Sequence, residues 1–135
     1  MQILNHKFRK EERLCSRKAI EELFGSGKSF FSHPFQVIWM NAPTEFPYPA
    51  QVAVSVSKKL FKRAVRRNLI KRRMREAYRR NKTSFYQFLA DNNTRIIFII
   101  IYKSNTIADF TVIEKSMQDM LKKLAKIVKE QVGNC

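Results

Sequence analysis

Thirteen of the chain's 27 lysines and arginines stand between Lys58 and Lys82, and a single acid, Glu76, stands among them. Most of that run, Ala64 to Arg80 (AVRRNLIKRRMREAYRR), reads as one helix. At about 100° per residue, Asn68, Lys71, Arg72, Arg75 and Arg79 share one arc, and Ile70, Met74, Ala77 and Tyr78 share the arc beside it. Like charges at i and i+4 repel by roughly a few tenths of a kcal/mol per pair, so this helix calls for a polyanion whose phosphates neutralise it with release of counterions. Arginine suits that chemistry because its planar fork binds phosphate oxygens in pairs and stacks on unpaired bases. Asn68 adds an amide with both donors and an acceptor, able to hold an arginine in place or to read an RNA group.

Other chemistries find little support. His6 and His33 stand beside no nucleophile or carboxylate pair, three glycines form no phosphate loop, and no His, Cys or acid cluster has metal-ligand spacing. Cys15 and Cys135 lie at opposite ends without a CxxC pattern and read as free thiols. An enzyme acting through its own side chains is therefore not expected. A helix-turn-helix DNA regulator would need a paired helix and short glycine turn before the cationic helix, which the chain lacks. A basic helix can lie on anionic lipid, but this one has no broad face of large apolar groups to spare.

Behind these residues stands a globular scaffold. A hydrophobic fraction of 44% with 12% aromatic residues places the net charge of +16 on a folded chain. At 135 residues one domain is expected, 1–135, long enough to bury roughly two thirds of its unfolded surface. Its charge points to nucleic acid or an anionic membrane surface as partner, an RNA-binding domain being the expectation once the helix is considered. The longest apolar run, Ile96 to Tyr102, is far short of the roughly 20 residues that span a bilayer. MQILNHKFRKEERL lacks the apolar core of a signal peptide. A soluble, cytoplasmic protein is expected.

Residues 1–15 have no clear periodicity and read as a flexible arm. Ser16 is the N-cap of a first helix with Ala19, Ile20, Leu23 and Phe24 at helical spacing, and Gly25 or Gly27 would supply a left-handed end. PFQVIWM, Pro34 to Met40, reads as a strand, with room for one more between Ser29 and Met40. NAPTEFPYPA, Asn41 to Ala50, is a loop. From Ala50 to Ser57, Val52, Val54 and Val56 alternate with Ala53, Ser55 and Ser57, giving one core face and one of small residues. The cationic helix continues, with a break near Thr83, to a turn at Asp91-Asn92-Asn93. RIIFIIIY, Arg95 to Tyr102, is a central strand covered on both faces. A last helix starts near Thr111 with a Thr111/Glu114 capping box, and Ile113, Met117, Met120, Leu121, Leu124 and Val128 form its apolar stripe. The expected class is α+β, one sheet with helices against it.

The stretch SVSKKLFKRAVRRNLIKRRMREAYR, Ser55 to Arg79, closely resembles the signature of the bacterial ribonuclease P protein subunit, and the flanking elements fall where that family has them. The resemblance implies a two-layer α-β sandwich similar to the second domain of a small-subunit ribosomal protein, with a central basic helix and a left-handed crossover around it. It implies a role in removing the 5′ leader of precursor tRNA, a reaction performed by a catalytic RNA whose magnesium that RNA mainly holds. The protein would clamp rather than catalyse. Its implied partners are ribonuclease P RNA and precursor tRNA, with no membrane and no obligate protein partner. Lys58, Lys59, Arg66, Arg67, Asn68, Lys71, Arg72, Arg75 and Arg79 would face the RNA subunit. Ile20, Phe24, Phe35 and the Ala53, Ser55, Ser57 face would line a cleft for the single-stranded leader. From the residues alone, Ile20 and Phe24 at i and i+4 are more often an ordinary pair of core positions. Three features depart from the family pattern: Leu60-Phe61-Lys62-Arg63 lacks a common glycine and is one residue longer, Leu69 replaces a common arginine, and Ile20 a common aromatic. The competing reading is a structural RNA-binding protein of ribosomal type with no processing role.

Overall fold

The computed structural model describes residues 8–42 and 48–133. His6 with the rest of residues 1–7, the middle of the proline loop at 43–47, and Cys135 lie outside the described residues. After a 3-10 turn at Lys10–Glu12, the elements run α1 (Arg17–Ser26), β1 (Lys28–Ser32), β2 (Phe35–Asn41), β3 (Ala50–Val56), α2 (Ala64–Asp91), β4 (Ile96–Tyr102) and α3 (Phe110–Gly133). The sheet order is β1-β2-β4-β3. Among the described strands only the β3–β4 pair is parallel, and α2 is the connection that parallel neighbours require. This is the α+β class expected, and β1 is the additional strand for which the sequence left room.

Period-2 alternation divides the sheet into two faces. Val37, Trp39, Val52, Val56, Ile96, Phe98, Ile100 and Tyr102 join the stripes of α2 and α3 in the main core. Ile38, Ile97 and Ile99 face the other way, where Leu23 of α1 and Leu14 close a smaller cluster. Because β4 lies between β2 and β3 and is covered on both sides, it is apolar at nearly every position, as its sequence demands.

Helix α2 runs 28 residues without the break expected at Thr83. The buried stripe of Ile70, Met74, Ala77 and Tyr78 continues through Phe85, Tyr86 and Leu89, and that packing outweighs the few tenths of a kcal/mol, roughly, that threonine costs in a helix. The helix stops at Asn92, and Asn93 turns the chain with φ of 50°. In α1, Ser16 does cap the helix, its hydroxyl accepting from the Ala19 amide at 3.2 Å. The left-handed glycine expected at the other end is absent, since Gly27 has φ of −72°. Glycine is needed there for closeness: a Cβ would lie 2.5 Å from the Leu23 carbonyl oxygen and 2.8 Å from Ile38 Cγ2. Helix α3 begins at Phe110, so Thr111 lies inside the first turn rather than at the cap. Glu114 instead accepts from Asn81 of α2 at 3.1 Å.

The larger correction concerns the arm. Residues 8–14 are docked against the domain, with Glu12 and Leu14 buried. Leu14 N–H donates to the Val52 carbonyl at 2.9 Å, and Gln51 Nε2 donates to the Glu11 carbonyl at 2.9 Å, so this segment covers the outer edge of β3. At the opposite edge, Lys123 donates to the Phe31 carbonyl of β1 at 2.8 Å. One carbonyl of each outer strand, Val52 of β3 and Phe31 of β1, is thus given a partner, which blunts the edges as templates for other chains.

Candidate nucleic-acid interface

The core stripe of α2 fixes where its cations point. With Ile70, Met74, Ala77 and Tyr78 buried, Asn68, Arg72 and Arg75 are exposed and Lys71 and Arg79 half-buried along the helix flank. Arg66 is exposed at the helix start. Among the described residues, Arg66, Lys71, Arg72 and Arg75 meet no carboxylate. Arg79 differs, because its guanidinium forks onto Glu76 at 2.9 and 2.7 Å. That hydrogen bonding holds the Glu76 carboxyl below the ordinary carboxylate range.

Arg67 is turned inward to the loop before the helix. Its Nη1 donates to the carbonyls of Phe61 and Lys62, each at 2.8 Å. The loop is pinned from below by Phe61, buried beside Tyr102 with ring centroids 6.3 Å apart. Ser57 is also drawn into this turn, its hydroxyl accepting from the Lys59 amide at 3.1 Å. Lys58 and Lys59 then stand exposed at the turn. Arg73, on the other flank, donates to the Ala108 carbonyl at 2.6 Å and ties α2 to the approach to α3.

The second surface lies on the opposite side of the sheet, under α1. Leu23 is the residue of α1 that is fully buried, Ile20 is half-buried, and Phe24 is 58% exposed. Strand register sets Phe31 opposite Gln36, Gln36 opposite Ile101, and Ile101 opposite Ser55. These four form a row across the face that α1 covers only in part, with Phe31 51% exposed. Ala53 lies one row further in, beside Ile99.

Phe35 does not belong to this cleft. It is fully buried on the other face, in phase with Val37 and Trp39, and meets Tyr102 edge-on at 6.3 Å between centroids. The face under α1 carries Gln36, Ile38 and Met40 of the same strand. Gln36, Ile101 and Phe31 were missed in the sequence, though the phase of β3 carried across the sheet through Ser55 would have found them.

A further set of residues joins α2 from the N-terminal segment. Glu12 and Lys82, 1% and 2% exposed, form a buried ion pair. Tyr86 donates to the same carboxylate at 2.9 Å, Tyr78 donates to Tyr86 at 2.9 Å, and the Arg9 amide donates to the second carboxylate oxygen at 2.7 Å. Burial holds the Lys82 ammonium below the usual lysine range, against the pull of Glu12. Among the described residues no group of three His, Cys, Asp or Glu side chains is placed to hold a metal ion. No described helix is long and apolar enough to cross a membrane.

The Ribonuclease P family model matches residues 8–125. The ribonuclease P protein component of Porphyromonas gingivalis is 36% identical over 116 residues, 86% of this chain and 85% of that protein. That of Petrotoga mobilis is 41% identical over 78 residues, 58% of this chain and 63% of its own length. Among solved structures, the RNase P protein of Staphylococcus aureus superposes with a TM-score of 0.66 at 25% identity, covering 85% of this chain and 95% of that one. The RNase P protein of Thermotoga maritima gives 0.66 at 25% identity, covering 83% and 96%. Fold, signature helix and matched length agree, and the chain belongs to the bacterial ribonuclease P protein family.

Proposed function

We propose that this chain is the protein subunit of ribonuclease P, binding the catalytic RNA through the flank of α2 and the single-stranded 5′ leader of precursor tRNA in the cleft under α1. The observation that carries the reading is the row Arg66, Lys71, Arg72 and Arg75, held in place by a buried stripe and given no carboxylate among the described residues. A protein that needed these cations only for solubility would intersperse acids. The cleft supports the second half. Ile20 and Phe24 of α1 stand over the row of Phe31, Gln36, Ile101 and Ser55, and Phe24 and Phe31 are exposed aromatic rings on which unpaired bases can stack. The two surfaces lie on opposite faces of the sheet, so one RNA can hold the helix while a separate strand lies in the cleft.

Magnesium fits the partner better than this chain. The α2 flank carries one acid, and Glu76 is already tied to Arg79. The protein's contribution is to bring cationic charge to the RNA and to orient the leader, and the chemistry belongs to the RNA with its metal ions. The same reading carries with it a cytoplasmic location, alongside the RNA.

The test is reconstitution. The full chain alone should leave precursor tRNA intact; with its cognate RNA it should lower the magnesium needed for cleavage at the mature 5′ end. An unchanged magnesium requirement would favour a ribosomal-type structural role, and cleavage without RNA would make the chain an enzyme in its own right.

A further inference from the structure

The docked N-terminal segment brings positive charge to the face that least tolerates it. Arg13 stands with Arg72, Arg75 and Arg79 around a shallow depression of about 380 Å³, with Phe8 and Glu76 completing its lining. Four guanidinium groups therefore share a site with one carboxylate, and that carboxylate is occupied by Arg79. Coulomb repulsion opposes such an arrangement, and among the described residues Arg13 forms no ion pair with a carboxylate. Its guanidinium lies over the Phe8 ring, 5.3 Å from the centroid, and the Phe8 ring in turn meets Tyr78 of α2 edge-on at 5.6 Å. The segment is kept there by the buried Glu12–Lys82 pair, by the Leu14–Val52 hydrogen bond and by Gln51. A fold that uses buried contacts to press an arginine toward three others has made a site for an anion.

We propose that Arg13 completes, with Arg72 and Arg75, a pocket for one backbone phosphate of the RNA subunit, so that the RNA-binding surface is built from two chain segments and not from α2 alone. This inference rests on the reading that α2 faces RNA. Arg13 matches no part of the signature helix and reaches the surface only because residues 8–14 dock. Phe8 supplies an apolar wall on which the Arg13 guanidinium rests, and Arg13 is exposed.

The experiment measures binding of the full chain to transcribed ribonuclease P RNA over a range of salt concentrations, with a melting curve for each variant. Arg72→Ala should reduce the salt slope by one phosphate's share, roughly 0.7 to 0.9. Arg13→Ala should do the same at unchanged melting temperature, and Arg13→Lys should restore most of the slope. Because both arginines serve one phosphate, the double alanine variant should lose less than the sum of the two. If Arg13→Ala keeps the full slope while Arg72→Ala loses it, the pocket is wrong and the α2 reading stands. A double variant that loses the full sum would place the two arginines on separate phosphates and overturn the shared pocket. If neither single variant changes the slope, the RNA-facing assignment of α2 itself fails.

Discussion

Lys82 reaches across 70 positions of sequence to the carboxylate of Glu12, and both side chains are almost wholly excluded from water. Taking two charges out of water is costly, and their attraction repays it only while both are present. Glu12→Ala should therefore destabilise the fold by about 3 to 5 kcal/mol, because it takes the carboxylate away from a buried ammonium. Glu12→Leu combined with Lys82→Met should cost much less. Urea unfolding of the single and double variants checks this, and equal losses would show that the pair's charges are not what matters.

Gly27 and Gly25 make a controlled comparison within one helix end. At Gly27 a methyl group meets backbone and the Ile38 side chain, whereas at Gly25 nothing lies within 4 Å. Gly27→Ala should cost about 1 to 3 kcal/mol as overpacking, and Gly25→Ala should be neutral or stabilise by up to about 1 kcal/mol. Thermal melts of both variants read the difference directly.

The two buried phenols set an alkaline limit on stability. Burial raises both Tyr78 and Tyr86 far above the ordinary tyrosine range, with their mutual hydrogen bond and the nearby Glu12 as further influences. A phenol raised in the folded state contributes stability that is complete below its unfolded value, about 10, and declines as pH climbs from there toward the folded value. Their tyrosinate absorbance should consequently emerge together with loss of helical circular dichroism, not before it. Ionisation of these two tyrosines in a still-folded protein would contradict that order.

Arg67 and Arg72 should separate two roles that their neighbouring positions conceal. Arg67 clamps the Phe61 and Lys62 carbonyls, so Arg67→Ala should lower stability by about 1 kcal/mol as well as weaken RNA binding through a loosened loop. Arg72 is exposed and lacks a carboxylate partner among the described residues, so Arg72→Ala should leave the melting temperature unchanged. Paired melts and binding curves distinguish them.

Phe24→Ala probes the other surface. With the ring 58% exposed, its loss should barely change stability, yet weaken the contact with a single-stranded leader by about 1 to 3 kcal/mol if it stacks on a base. Competition between precursor and mature tRNA for the reconstituted complex would report it. An unchanged preference for precursor tRNA would remove Phe24 from the cleft's working surface.

Elements with strong periodicity are legible in the sequence itself. The all-apolar RIIFIIIY run and the Ile70-Met74-Ala77-Tyr78 arc each allow one placement only, and both are where the sequence puts them. The phase of β2 was not legible, because Phe35, Val37 and Trp39 alternate with Gln36, Ile38 and Met40 and both sets are largely apolar. The neighbouring strand decides it: once Ser55 is opposite Ile101 and Ile101 opposite Gln36, Phe35 must face the main core. The docking of residues 8–14 left the weakest trace of all. Its anchor is one glutamate in a polar stretch, and the lysine that receives it is hidden among thirteen cations that mostly face outward.

Helix α2 is a single rod of about 42 Å at 1.5 Å per residue, and the same rod serves as keel for the core and as rail for the cations. The compass bearing of each guanidinium is therefore borrowed from Ile70, Met74, Ala77 and Tyr78. Inserting one residue after Met74 would rotate everything beyond it by about 100°, swinging Arg75 and Arg79 off the rail and driving the keel's aromatic rings toward water. In this molecule, hydrophobic azimuth and electrostatic azimuth are one coordinate, and neither can drift without the other.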